Sequence, residues 1–484
     1  MNSKTQPEQQ IDSTEQYRVV PIIISFLIAG FIGLFSETAL NMALGTLIRD
    51  FGVHETTVQW LTTGYLLTLG ILVPVSGLIL QWFTTRQLFG TSLVFSIIGT
   101  LIAAIAPSFA FLMAARVIQA IGTALMLPLM FNTILLIVPP YKRGRIMGLM
   151  GLVISFAPAV GPTLSGLILN NLTWHWIFWI SLPVLVAAFV FGMVYMQNVS
   201  TLTKPKIDVL SIGLSTIGFG GIVFGFSNAG ESGWGDPLVI GSIAAGFIGL
   251  LLFTIRQTRM KQPMLNLRAF KYPMFVIGLV LVLVCMMVLL SSMILLPLYL
   301  QTSLALGTFA AGLLLLPGGV VNGLLSPIMG NLFDKFGPRW LVIPGLFIVL
   351  GSLIGFSTID VDTPAGFLIA MHILMMIGFS MVMMPAQTNG LNQLPRELYP
   401  DGTAIMNTLQ QVSGAIGTAV AISILSAGTA RYMDTAADLA NPQTPLLAFT
   451  SGVQDAFIFG IVVAVIGLII GLFVKRVEVA HPES

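Results

Sequence analysis

The sequence predicts an all-α membrane protein of 14 transmembrane helices, built as two six-helix bundles with a helix pair inserted between them. Three observations predict it. Of 484 residues, 56% are hydrophobic and only 8% charged, against about 25% charged in a soluble domain. The apolar residues, at a mean hydropathy of +0.95, fall into runs near the roughly 20 residues a helix needs to cross a bilayer. The loop after the second run also resembles the loop after the tenth, as a duplicated block would require.

In chain order the runs cover 19–47, 58–80, 88–106, 109–137, 147–169, 174–195, 209–228, 238–256, 273–299, 309–332, 340–358, 365–386, 404–426 and 454–474. Ahead of them, residues 1–17 are polar and carry no apolar core with a cleavage site, so they read as a cytoplasmic tail rather than a signal peptide. The expected organisation is an N-terminal bundle over 18–197, linkers and the inserted pair over 198–271, a C-terminal bundle over 272–476, and a second cytoplasmic tail, 477–484. Glycine (49) and proline (26) are plentiful, as expected where membrane helices pack through small residues.

Orientation follows from Lys and Arg. With the N-terminus inside, the even-numbered connections and both tails hold 18 of the 21 basic residues. Arg49 and Arg431 fall outside and Arg116 falls within a span, while the outer loops carry Asp50, Glu55, Glu231, Asp236, Asp360, Asp362, Asp434, Asp438 and Asp455. Both termini are therefore expected in the cytoplasm, as an even span count also requires.

The repeat lies in GLILQWFTTRQ (77–87) and GNLFDKFGPRW (330–340), which align without gaps and share Gly77/Gly330, Phe83/Phe336 and Arg86/Arg339. Repeats of this kind are typical of secondary transporters, whose substrate path runs between the halves. GNLFDKFGPR resembles the cytoplasmic signature of the major facilitator superfamily, G-x-L-x-D-[KR]-x-G-x-[KR]. ARVIQAIGTA (115–124) is similar to its fourth-span motif R-x-x-Q-x-x-G, APAVGPTLSG (157–166) to its fifth-span antiporter motif, and WHWIFWISLP (174–183) to the start of its sixth span. With 14 spans the ordered set resembles the drug:proton antiporter-2 branch, and FSETALNMA and QWLTTGYLLTLGILVPVSG look like its lincomycin-efflux members. The chain departs from the pattern in places. Gln81 and Trp82 stand where the first signature loop usually has Asp and Arg, and His175 replaces an Arg. In the first-span pattern D-x-T-x-x-N-x-A-L-P, Thr38, Asn41, Ala43 and Leu44 match, but Ser36 holds the Asp position, Glu37 follows it, and Gly45 replaces Pro.

Glu37 is the acid placed clearly within a span, where ionisable residues are rare and mark function. On a helical wheel Gly30, Gly33, Glu37 and Asn41 form one small, polar stripe, which suits a cavity or a neighbouring helix rather than lipid. Two readings stand: a carboxyl that loads and releases a proton, favoured here, or a protonated Glu bonded to a neighbour. Arg116, Gln119 and Thr123, spaced i, i+3, i+7, share a face of the fourth span. Arginine stays protonated in proteins, so Arg116 either modulates proton exchange near Glu37 or clamps carbonyls between helices.

Gly161, Pro162 and Gly166 in the fifth span allow close approach and a bend, which the resemblance turns into a seam that rocks without leaking. Gln59, Thr63 and Tyr65 give the second span hydrogen-bonding groups for substrate or for neighbouring helices. Met376 lies in the methionine-rich stretch 371–385, and flexible Met suits either a pocket that accepts many shapes or core filler. These residues, with Asn41, Gln119 and Thr123, are the candidate substrate cavity. Asp334 and Arg339 at the cytoplasmic turn are candidates for holding a gate closed. The inserted pair has little polar content and is expected to be a peripheral hairpin without substrate contacts.

Cys285 is the single cysteine, and the four histidines (54, 175, 372, 481) form no metal pattern. No P-loop is present, so ATP is not the expected energy source, and no cofactor is implied. The expected function is proton-coupled efflux of amphipathic drugs or antibiotics across the cytoplasmic membrane by alternating access, by a monomer and without an enzymatic step or a nucleic-acid partner. Transport of a native metabolite by the same machinery is the alternative. A membrane enzyme would need acid, His or metal clusters near the surface, and a sensor a soluble output domain; the sequence offers neither.

Overall fold

A computed structural model describes residues 18–200, 202–436, 441 and 443–477, with the side chains of Asn41, Gly45, Glu55, Thr56, Pro162, Gly230, Glu231 and Thr308 outside the described set. Among the described residues, 14 helices are long and apolar enough to cross a membrane. The first is broken: α1 (Val19–Ala39) passes through a 3₁₀ turn (Leu40–Ala43) into the short α2 (Leu44–Phe51). Then follow α3 (Glu55–Trp82), α4 (Thr85–Ala104), α5 (Phe109–Ile137), α6 (Arg143–Asn171) and α7 (His175–Tyr195). The inserted pair is α8 (Val209–Ser232) and α9 (Pro237–Arg259). The last six are α10 (Pro273–Thr302), α11 (Thr308–Phe336), α12 (Arg339–Phe356), α13 (Ala365–Asn392), α14 (Tyr399–Thr435) and α15 (Thr444–Gly471).

The packing repeats. The pairs α1–α6, α1–α7, α3–α5, α4–α5 and α4–α7 recur as α10–α14, α10–α15, α11–α13, α12–α13 and α12–α15. The two sets meet along two seams, α6 with α11 and α3 with α14. Lipid supplies no hydrophobic drive between helices, so such contacts rely on small residues that bring backbones together. On the α6–α11 seam a Cβ at Gly144, Gly148 or Gly151 would run into Gly330, Pro327 or Ser326, and further along Phe156 and Ala159 lie against Gly323 and Gly319. On the α3–α14 seam Gly77 meets Ala404 and the Pro400 carbonyl.

The inserted pair breaks the equivalence of the seams. α8 packs on both α3 and α14, with Val223 against Gly70, the Phe224 ring 5.7 Å from Trp60, and Trp234 donating to Ser423 Oγ at 2.6 Å. α9 lies on α8 through Gly218, Gly221, Gly246 and Gly249 and turns Phe247, Ile248, Leu251 and Leu252 outward. Hydrogen bonds at 2.6 and 2.9 Å join Arg256 to Asp208 across the foot of this hairpin and hold the Asp208 carboxyl down at about 2, below the ordinary aspartate value.

Two sequence expectations shift. The last helix begins at Thr444, ten residues before its predicted start at 454, because Thr450, Ser451, Gln454 and Asp455 dilute its apolar run; Asp455 therefore sits in α15 and pairs with Arg431 at 2.6 Å rather than in an outer loop. Asp334 and Asp401 likewise lie in the ends of α11 and α14. Glu37 is thus not alone among acids in a helix, although Asp334 and Asp401 sit near helix ends and Asp455 pairs with Arg431.

Candidate functional site

The break in the first membrane helix begins at Leu40, three residues after Glu37. In an unbroken α-helix the carbonyls of Ser36 and Glu37 would accept from the N–H groups four residues on. A 3₁₀ turn bonds three residues back instead, and inside a longer helix such a turn often marks a hinge. Here Arg116 of α5 occupies both carbonyls: Nη1–H donates to Ser36 O at 3.1 Å and Nη2–H to Glu37 O at 3.5 Å. Nε–H points to Leu61 O on α3 at 3.4 Å, and Nη1–H also donates to Gln119 Oε1 at 3.1 Å. The guanidinium is 0% exposed and lies 4.2 Å above the Tyr65 ring. Its charge is met by carbonyl dipoles and an aromatic face. Arg116 therefore ties together α1, α3 and α5 in the clamp geometry that the sequence left open.

Glu37 is half-buried, and among the described residues its carboxylate forms no ion pair with Arg116. The guanidinium bonds the backbone of Glu37, not its acid group. The arrangement thus holds a fixed positive charge beside a carboxyl without consuming it.

The network continues inward. Gln119 Nε2–H donates to Thr100 Oγ1 at 2.9 Å, and the Tyr65 hydroxyl donates to Thr123 Oγ1 at 2.8 Å. Tyr65, Gln119 and Thr123 were expected along a substrate cavity; the structure commits their polar groups to one another and to Arg116. Gly33 lies against Thr123, so its part of the α1 stripe faces α5 as expected. The stripe does not extend on one wheel to Asn41, because the backbone changes winding at Leu40, and the Asn41 side chain is outside the described set. Gln59 and Thr63 are half-buried on α3.

Gly161 proves to face α1 rather than the opposite half. A Cβ there would collide with Thr38 Oγ1 and crowd Ala39 N, so α6 presses on the residues that flank the break. Gly161→Ala is expected to cut transport sharply, and Thr38→Ala in the same chain to restore most of it, because contacting pairs are non-additive by about 0.5–3 kcal/mol. Single and double variants compared in a transport assay and by melting check this. A Cβ at Gly166 would lie 3.7 Å from the Phe309 ring of α11, on the seam; the Pro162 side chain is outside the described set.

At the basic-loop end the two halves are bolted together. Asp334 accepts from the backbone N–H of Gly144 and Arg145, each at 2.8 Å. A carboxylate placed on the unsatisfied N–H groups opening α6 is stabilised by the helix dipole. Arg143, 2% exposed, donates to Asn392 Oδ1 at 2.8 Å and Tyr399 OH at 3.1 Å in the other half, and to the Val138 and Leu135 carbonyls at 3.0 and 2.5 Å in its own. Arg339, expected beside Asp334, is instead exposed, and no hydrogen bond joins its side chain to Asp334. Arg476 takes that place, donating to the Asp334 and Lys335 carbonyls at 2.9 and 3.3 Å. The helix starting at Arg339 carries its side chain away from the seam, whereas the C-terminal strand of chain after α15 returns to it. Gln81, where the first loop lacks its acid, donates to its own helix at Gly77 O, and Trp82 binds the linker at Pro205 O.

Met376 of α13 is buried, and its Sδ accepts from Asn322 Nδ2 of α11 at 3.6 Å. Sequence reading missed Arg143, Asn392, Tyr399, Arg476 and Asn322. Arg143 carried one usable signal, as one of three basic residues within 142–145, but nothing local distinguishes it from its exposed neighbours.

Comparison with known proteins bears on all of this. Residues 26–418 match the family model of the Major Facilitator Superfamily. The chain is 66% identical to the lincomycin resistance protein LmrB of Bacillus subtilis (strain 168), over 98% of this chain and 99% of that one. It is 64% identical to the protein of the same name from Listeria monocytogenes, over 97% and 100%. Among solved structures, the human organic anion transporter MFSD10 superposes with a TM-score of 0.66 at 12% identity, covering 93% of this chain and 99% of that one, a likeness of fold.

Proposed function

The chain belongs to the Major Facilitator Superfamily, and from that premise we propose that it exports amphipathic drugs, lincomycin among them, in exchange for protons. It is a multi-pass membrane protein; the basic loops support a cytoplasmic-membrane orientation with both termini inside. The reading needs no cofactor, no enzymatic step and no second subunit.

One observation carries the coupling: Glu37 sits in the last turn of α1 before the break, with Arg116 bonded to the Ser36 and Glu37 carbonyls there. Protonation of Glu37 removes a negative charge beside a fixed positive one, one turn before the helix changes winding at Leu40. That changes the balance between the break and the α5 clamp, and α6 feels it through Gly161 and Thr38. A proton can shift the equilibrium only by its differential affinity for the two facing states, and a drug that prefers the deprotonated state then exchanges against it. Asp334 and Arg143 oppose opening toward the basic-loop side until that balance tips.

Inside-out membrane vesicles with an acidified lumen test the proposal. They are expected to accumulate lincomycin when the protein is present and to lose it when a protonophore collapses the gradient. Accumulation equal to that of vesicles lacking the protein overturns the reading.

A further inference from the structure

The two halves differ at one matched position. The offset that pairs Gly77 with Gly330 also pairs Tyr65 of α3 with Gly318 of α11. Aligning the first residues of α5 (Phe109) and α13 (Ala365) pairs Arg116 with His372. The structure makes both matches into contacts. In the first half Arg116 lies over Tyr65; in the second, a Cβ added at Gly318 would strike His372 Nδ1.

What fills the two places is different. The Arg116–Tyr65 pair is large and its polar atoms are taken up by Ser36, Gln119 and Thr123. The second half puts the smallest residue opposite an imidazole. His372 is 6% exposed, and its Nδ1 has no hydrogen-bond partner among the described residues. One turn along α13, Met376 Sδ holds the Asn322 amide by a 3.6 Å contact, and a thioether is a weak acceptor. Buried polar atoms are nearly always bonded, so an unpartnered imidazole nitrogen beside a weakly engaged amide marks a place built to receive a partner.

We infer that His372 and Asn322 form the hydrogen-bonding subsite of the drug in the second half, taking a hydroxyl or amine N–H of an amphipathic substrate while Met376 adapts to its apolar part. The inference rests on the proposed export function. It divides labour between the halves: the position that in the first half secures the proton-bearing helix serves in the second for recognition. A site that hydrogen-bonds a substrate group discriminates strongly, because an analogue lacking the group leaves buried polar atoms unpaired.

The test uses the purified full chain in detergent and lincomycin, which carries several hydroxyls, as the probe. Binding is measured for wild type, His372→Gln and His372→Leu, with melting curves to confirm folding. The expected result is at least a tenfold weaker Kd in His372→Leu and a value within threefold of wild type in His372→Gln. Equal affinity in all three overturns the subsite, and so does equal weakening in both folded variants, which would make the imidazole's shape rather than its hydrogen bonding the requirement. If His372→Leu fails to fold, Asn322→Leu is compared with Asn322→Gln by the same criterion. Wild type that binds no lincomycin defeats the export reading itself, and with it the subsite.

Discussion

Glu37→Gln is expected to abolish proton-driven efflux while still binding the drug, at the weaker affinity that wild type shows once Glu37 is protonated. Glutamine keeps the size of the side chain and its capacity to bond the neighbours, but it fixes the site in a neutral form. Coupling between two ligands is typically about 1–3 kcal/mol, or about 5–150-fold in affinity. In wild type, lincomycin affinity should therefore fall as pH drops and Glu37 takes a proton; in Glu37→Gln the dependence should flatten. Vesicles carrying the variant should equilibrate drug down its gradient yet fail to accumulate it against one. Retained accumulation would assign the proton to another group.

The second large effect is expected from Arg143→Met. This buried arginine makes four hydrogen bonds, two of them to Asn392 and Tyr399 across the halves. Bonds to charged groups contribute about 1.5–3 kcal/mol each. Losing the cross-half pair removes about 3 kcal/mol from the state closed at the basic-loop end, and shifting a two-state ratio from 1:99 to 99:1 needs about 5.5 kcal/mol. A state closed almost completely in wild type should become a comparable mixture of closed and open. Spin labels at Lys142 and Lys335, exposed at the mouths of α6 and α11, should show a second, longer distance in Arg143→Met and a smaller change in Tyr399→Phe. An unchanged distance distribution would mean that Asp334 and the glycine seam hold that end without the arginine.

The spans were legible because lipid imposes a length and an apolar composition on each, and because both copies of the signature loop keep Gly77/Gly330 and Arg86/Arg339. The shared face of Arg116, Gln119 and Thr123 was legible for a similar reason, since helical spacing fixes it before any neighbour is known. The break after Ala39 was not. Its residues, Leu40–Ala43, include neither glycine nor proline, and the partners that meet it, Arg116 and Gly161, lie far along the chain. Arg143 reads as one more topological charge; it becomes a bolt only because Asn392 and Tyr399 arrive from 249 and 256 residues away. Asp334 was singled out at its cytoplasmic turn, but its partner is the backbone opening of α6, which no side-chain motif encodes.

The claim that Glu37 carries the exchanged proton is tested most directly by adding lincomycin to the purified protein in weakly buffered solution and recording the pH. Wild type should release protons on binding, and Glu37→Gln, still binding the drug, should release none; equal release from both would contradict the assignment.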